Sequence, residues 1–127
     1  MGIEDGLPQI NYGWDENVDM GVQTGPVLIL DGDEVDLKLA RDKQARRMAA
    51  FIAGNDLYFV TVFHPEAVLD GPFLDSLPGI VLKIGQDEGF VVSSAVNLDG
   101  GAASAWYSPT LTLKEWQPVG SWWCVKS

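Results

Sequence analysis

The sequence predicts a mainly β fold: an antiparallel β-sandwich or small barrel with one α-helix at about residues 41–53 and an extended N-terminal arm. Three observations carry this expectation. Polar and apolar residues alternate over short runs such as 34–39 and 110–113, the period of a half-buried strand. Clusters of Gly, Pro, Asn and Asp punctuate the chain at the short spacing of an all-β domain. One stretch, 41–53, places Ala45, Met48, Ala49 and Ile52 at i, i+3, i+4 and i+7, the apolar face of a helix.

The elements follow in order. Residues 1–25 combine Pro8, five glycines and scattered acids, with no helical or strand period. Ile10, Tyr12, Trp14, Val18 and Met20 run through this arm, so it is expected to lie on an apolar surface and not in solvent. The rest, 26–127, reads as a single β-rich domain. Val27–Leu30 is a buried strand, and Asp31-Gly32-Asp33 turns it into the alternating strand Glu34–Leu39. Strong helix formers fill 41–53 and Gly54-Asn55 stops them, although pairing 47–52 with 57–63 across Gly54-Asn55-Asp56 is a rival hairpin. Leu57–Phe63 is apolar on both faces and is expected as a central strand. Prolines 65, 72 and 78 mark a loop. Strands are then expected at 80–84, 90–97, 102–107, 110–113 and 121–125, with turns at 85–89 and 98–101.

The 127 residues carry 8 Lys plus Arg against 18 Asp plus Glu, a formal net charge of −10. That balance excludes a basic nucleic-acid binder, and the single cysteine excludes an intrachain disulfide framework. Met1-Gly2-Ile3-Glu4-Asp5 opens with acids where a signal peptide needs bases. The longest apolar run, Met48–Ala53, is far shorter than the roughly 18 residues of a membrane span. The expectation is a cytoplasmic or virion-associated protein, with no membrane and no direct nucleic-acid contact. Charge is segregated: residues 1–37 hold nine acids and no base, whereas 38–47 hold five bases and one acid.

Side chains that do chemistry are sparse. His64 is the sole histidine, and His64-Pro65-Glu66 matches only half of a zinc deaminase signature, whose paired cysteines are missing. His64 therefore reads as the cap of a strand end. Cys124 lies between Trp123 and Val125 and reads as buried and inert. Residues 31–36 resemble a calcium loop superficially, but Val35 and Asp36 stand where an oxygen ligand and Gly are needed. No nucleotide cradle occurs. Four of the five tryptophans fall in the last 22 residues, where aromatic residues fill cores and interfaces more often than they bind sugars.

These features lead to the expectation of a non-enzymatic interaction protein with no catalytic residues, metal or cofactor. Its partner would be a second copy of itself, as in a virion component of the capsid decoration or tail type. The arm residues Tyr12, Trp14, Asp15, Glu16 and Asp19 would meet Arg41, Lys43, Arg46 and Arg47 of a neighbour. The alternative is an acidic inhibitor or immunity protein steered onto a basic partner, a toxin nuclease or DNA-binding protein. An enzyme or small-ligand binder using His64, Glu66 and the tryptophans in a barrel mouth ranks third.

Overall fold

Five antiparallel strands in the order β5-β4-β8-β6-β7 form the sheet around which the chain is built. These are β4 (Val27–Leu30), β5 (Asp33–Glu34), β6 (Arg47–Ala53), β7 (Asp56–Val62) and β8 (Val92–Gly100). The structure, a computed structural model, describes residues 1–13, 17–39 and 42–125. One face of the sheet is covered by the helix α1 (Leu77–Glu88), whose Leu77 and Val81 pack on Leu28, Ile29, Ala49, Phe51 and Ala95. The other face packs Ala50, Ile52 and Val96 against Ile10, with Met1 and Phe59 beside them. The fold is mostly β, antiparallel and sandwich-like, with a single α-helix among the described residues.

Residues 1–25, expected as an extended arm, hold three short strands: β1 (Gly2–Glu4), β2 (Leu7–Gln9) and β3 (Met20–Gly21), in the order β2-β1-β3. Asp5-Gly6 makes the first turn, with φ of 48° and 75°, the two positive values a type I′ hairpin requires. Asp31-Gly32 does the same between β4 and β5, with φ of 53° and 85°. Near the C-terminus, β9 (Trp106–Tyr107) and β10 (Thr112–Leu113) form a separate hairpin.

The helix expected at 41–53 is not there. Residues 47–53 are β6, paired residue by residue with β7 from Arg47↔Val62 to Ala53↔Asp56, which is the rival hairpin. β6 is sandwiched between β8 and β7, with the helix on one face and the N-terminal segment on the other, so Met48–Ala53 are all buried. A strand buried on both faces shows no alternation, and its alanines then imitate a helix. Gly54, at φ 62°, supplies the positive value that the first central position of a type II′ turn demands.

The helix lies instead at 77–88, where strand 80–84 and turn 85–89 were expected. Its buried side is Leu77, Pro78, Val81 and Gly85, one residue per turn plus Pro78 at the start, where proline lacks nothing the helix needs. Gly89 ends it in the left-handed region at φ 78°. Lys83 and Asp87 pair at 3.0 Å on the outer face. Two further expectations are corrected. The segment 57–62 is an edge strand, half-buried along its length, and the central position belongs to β8. Residues 121–125 form no strand, and Cys124 is exposed, because the chain has left the sheet there.

Candidate functional site

The most elaborate polar construction is where β6 begins and β8 ends. Ala49 pairs with Asn97, yet Arg47 pairs with Gly100, so β8 carries one extra residue opposite this stretch of β6. Such a bulge bends a strand and re-aims its side chains, and bulges concentrate at functional sites. The bulge contains Asp99, which is exposed and whose Oδ1 accepts the Gly100 N–H at 2.6 Å. Gly100 has to be glycine for a local reason: a Cβ there would sit on the carbonyl oxygen of Arg46. Gly101 then turns at φ 60° and donates its N–H to that same oxygen at 2.7 Å.

Arg46 is fully buried and, among the described residues, meets no carboxylate. Its Nε donates to Ser104 Oγ at 3.0 Å and its Nη1 to Val68 O at 3.3 Å. Its Nη2 donates to Gly101 O at 3.3 Å, to Lys114 O at 3.1 Å and to Ser104 O. Burial pushes the guanidinium below its ordinary pKa, but an arginine remains a cation in proteins. Its charge is therefore held by carbonyl dipoles, and it fastens the turn after the bulge to the loop at 68 and the segment at 114.

Arg47 points to the other side of β6. Its Nη2 donates to Asp42 Oδ1 at 2.8 Å and to Lys43 O at 2.7 Å, and its Nε donates to Pro72 O at 3.2 Å. Among the described residues its Nη1 has no protein acceptor. The pair is largely buried, with side-chain exposures of 11% for Arg47 and 17% for Asp42. Burial works against the Asp42 carboxylate, but the N–H groups of Leu74 and Lys43 and the Arg47 guanidinium outweigh it and hold its pKa below the ordinary value. Asp42 is thus an ionised anchor and no proton donor.

Asn97 lies two residues before Asp99, on the helix-facing side of the sheet that it shares with its partner Ala49. It is 8% exposed, and its Nδ2 donates to Gly25 O at 3.0 Å. Its Oδ1 is buried with no hydrogen-bond partner among the described residues. A buried acceptor left open costs about 1–3 kcal/mol, so Asn97 Oδ1 is a polar cost inside the sheet. Gly25 in turn lines a cavity of about 770 Å³ between the N-terminal segment and residues 35–39, which Tyr12, Asp36 and Lys38 also line.

The residues expected to form an intermolecular interface are therefore scattered. Trp14, Asp15, Glu16 and Arg41 lie outside the described residues. Tyr12 and Asp19 are exposed on the N-terminal segment and Lys43 on the loop before β6. Arg46 and Arg47 are committed to partners inside their own chain. His64 caps the end of β7 in a bridge to Ala67, its Nδ1 accepting the Glu66 N–H at 3.3 Å. Among the described residues no three of His, Cys, Asp and Glu gather as a metal-holding group, and no helix is long and apolar enough to cross a membrane. Sequence reasoning missed Asn97 and Asp99, having read 98–101 only as a turn. The signal was there in Asn97-Leu98-Asp99-Gly100-Gly101: two polar side chains at alternate positions on a strand, running into two glycines.

The bulged end of β8 thus brings together an exposed carboxylate, Asp99, and two arginines anchored within the chain. The particular family follows from comparison: the chain belongs to the phosphodiester glycosidase family, whose model matches residues 4–126. No curated protein and no solved structure matches it. The family is an enzymatic one by name, and this overturns the expectation of a protein that is not an enzyme. That expectation rested on the absence of triads, zinc sets and nucleotide cradles, none of which a glycosidase requires.

Proposed function

We propose that the chain hydrolyses a sugar phosphodiester at the β6–β8 end of the sheet, breaking the bond between the anomeric carbon and the phosphate oxygen. The match across residues 4–126 carries this reading. Two features of the site support it. Asp99 offers an exposed carboxylate, the group that glycosidases place against the positive charge developing on the sugar ring. Arg47 Nη1 offers a guanidinium donor for the phosphate, which its intrachain hydrogen bonds leave uncommitted among the described residues.

The leaving group makes the chemistry undemanding. Water adds to the anomeric carbon and gives up a proton, and the phosphate departs with the bonding electrons as a monoester. A phosphate monoester is a stable anion near neutral pH, its second pKa being about 6. No side chain has to protonate it, so one well-placed carboxylate suffices where ordinary glycosidases use two.

The test is hydrolysis of methyl glycosyl phosphates by the full chain in water enriched in heavy oxygen, followed by phosphorus NMR and mass spectrometry. The expected result is methyl phosphate with the label in the released sugar. Label in the phosphate would mean cleavage of the phosphorus–oxygen bond and would sink the proposal, as would a folded protein that turns over none of these diesters.

A further inference from the structure

The C-terminal tryptophans fall into two groups. Trp106 is half-buried and Trp123 packs on Phe59 of β7 with ring centres 5.8 Å apart, so both serve the fold. Trp116 and Trp122 do not: they are 73% and 53% exposed, and Tyr107 is 54% exposed. Tyr107 and Trp122 stand 5.6 Å apart with their rings inclined by 40°. The Tyr107 hydroxyl donates to Glu115 Oε2 at 2.7 Å, which fixes a carboxylate at the edge of the aromatic pair. That hydrogen bond keeps the Glu115 pKa below its usual value, so the group accepts and does not donate.

This surface is tied to the site. The N–H groups of Trp116 and Gln117 both donate to Ala102 O, at 2.8 and 3.0 Å, and Ala102 follows the Gly100-Gly101 turn that ends the bulge. Lys114 O receives Arg46 Nη2 at 3.1 Å. The segment bearing the aromatics is therefore fastened to the same turn that presents Asp99.

We infer that Tyr107 and Trp122, edged by Glu115, form a carbohydrate platform that holds neutral sugar residues extending from the scissile phosphodiester. The choice of a sugar as the ligand rests on the glycosidase reading; the existence of a platform rests on the exposed rings. A pyranose presents C–H groups on its faces and hydroxyls on its rim, which suits an exposed indole beside a carboxylate acceptor. An anionic membrane surface is a poor occupant for a chain with net charge −10.

The test is intrinsic tryptophan fluorescence of the full chain titrated with cellohexaose, maltohexaose and chitohexaose. We expect saturable quenching by at least one of them, weakened roughly tenfold or more in Trp122→Ala and Tyr107→Ala and retained in Trp122→Phe. Circular dichroism checks that each variant is folded, and hydrolysis of methyl glycosyl phosphate stays at the wild-type rate in Trp122→Ala. Quenching by none of the three sugars overturns the platform, as does undiminished affinity in the folded Trp122→Ala and Tyr107→Ala variants. A wild-type dimer that Trp122→Ala dissociates, with no sugar effect, assigns the surface to a second copy and overturns it too. A chain that binds sugar but cleaves no diester keeps the platform and removes the glycosidase reading; one that cleaves the diester but binds no sugar does the reverse.

Discussion

Replacing Arg46 by Met keeps most of the buried side-chain volume and removes every donor. The guanidinium serves five hydrogen bonds to four residues' carbonyls and one hydroxyl. Gly101 O keeps a donor in the variant, because Ser104 Oγ also donates to it at 2.8 Å. Val68 O, Ser104 O and Lys114 O lose theirs. Ser104 O is buried and costs about 1–3 kcal/mol when left open, whereas Val68 O and Lys114 O are only part-buried and water replaces some of their loss, so roughly 2–5 kcal/mol is expected in all. Set against a total stability of roughly 5–15 kcal/mol, that is a large fraction. It should lower the melting temperature by roughly 10–20 °C. Urea unfolding read by far-ultraviolet circular dichroism measures it, and Arg46→Lys, which keeps the charge but fewer donors, should fall between the two. A loss below about 1 kcal/mol in Arg46→Met with an unchanged m-value would refute the view that Arg46 holds the 101–104 turn.

The other predictions follow from the same geometry. Gly100→Ala puts a methyl group on the Arg46 carbonyl oxygen, and it should cost about 1–3 kcal/mol, as overpacking does, measured by the shift in urea midpoint. Asp42 has a folded pKa below its unfolded value, so its contribution is complete above the ordinary carboxylate range and lost as pH falls through the folded value. The stability difference between wild type and Asp42→Asn should accordingly be present at about pH 7 and vanish on acidification well below pH 4, in urea titrations across that range. Asp99→Asn changes an exposed side chain and should move stability by less than about 0.5 kcal/mol, while lowering kcat for glycosyl phosphate hydrolysis by roughly a hundredfold or more. Unaltered turnover would remove Asp99 from the reaction. Because both the chain, at −10, and a phosphodiester are anionic, kcat/KM should rise and not fall between low salt and about 0.15 M salt, checked by initial rates.

How much of this was legible in the sequence depends on which force shaped each segment. The β character, the antiparallel turns and the β4–β5 hairpin are local, and Asp31-Gly32 specifies its turn by its own backbone preference. β6 was not legible because burial on both faces is a tertiary fact: Met48-Ala49-Ala50-Phe51-Ile52-Ala53 carries no polar residue to show which period it obeys. The helix was hidden for the opposite reason. Ile80, Leu82 and Ile84 alternate as a strand would, whereas the face that packs is Leu77, Val81 and Gly85, whose last member has no side chain to count. Gly85 is small because a Cβ there would strike Val92 on the neighbouring strand. The N-terminal hairpin had the same Asp-Gly signal as β4–β5, in Asp5-Gly6, but its strands are only three residues each and too short to show a period.

The site was illegible for a deeper reason, which lies in the two adjacent arginines. In the sequence, Arg46 and Arg47 are one basic cluster facing an acidic N-terminal segment, and long-range charge complementarity is the natural inference. A strand sends neighbouring side chains to opposite faces, so the fold splits the pair. Arg46 is buried among carbonyl oxygens, where it fixes the backbone that carries Asp99. Arg47 meets Asp42 on the other side, where it keeps donors available beside the same bulge. Of the two, only Arg47 meets an acid among the described residues, Asp42 within the same segment. Arg46 braces the turn after the bulge, and neither arginine is an exposed cation. The proposed reaction at Asp99 needs such a frame, because an ångström of misplacement costs orders of magnitude in rate. Through Gly100-Gly101 the exposed Asp99 is tied to the fully buried Arg46, whose carbonyl takes the Gly101 N–H and whose guanidinium holds the Gly101 carbonyl.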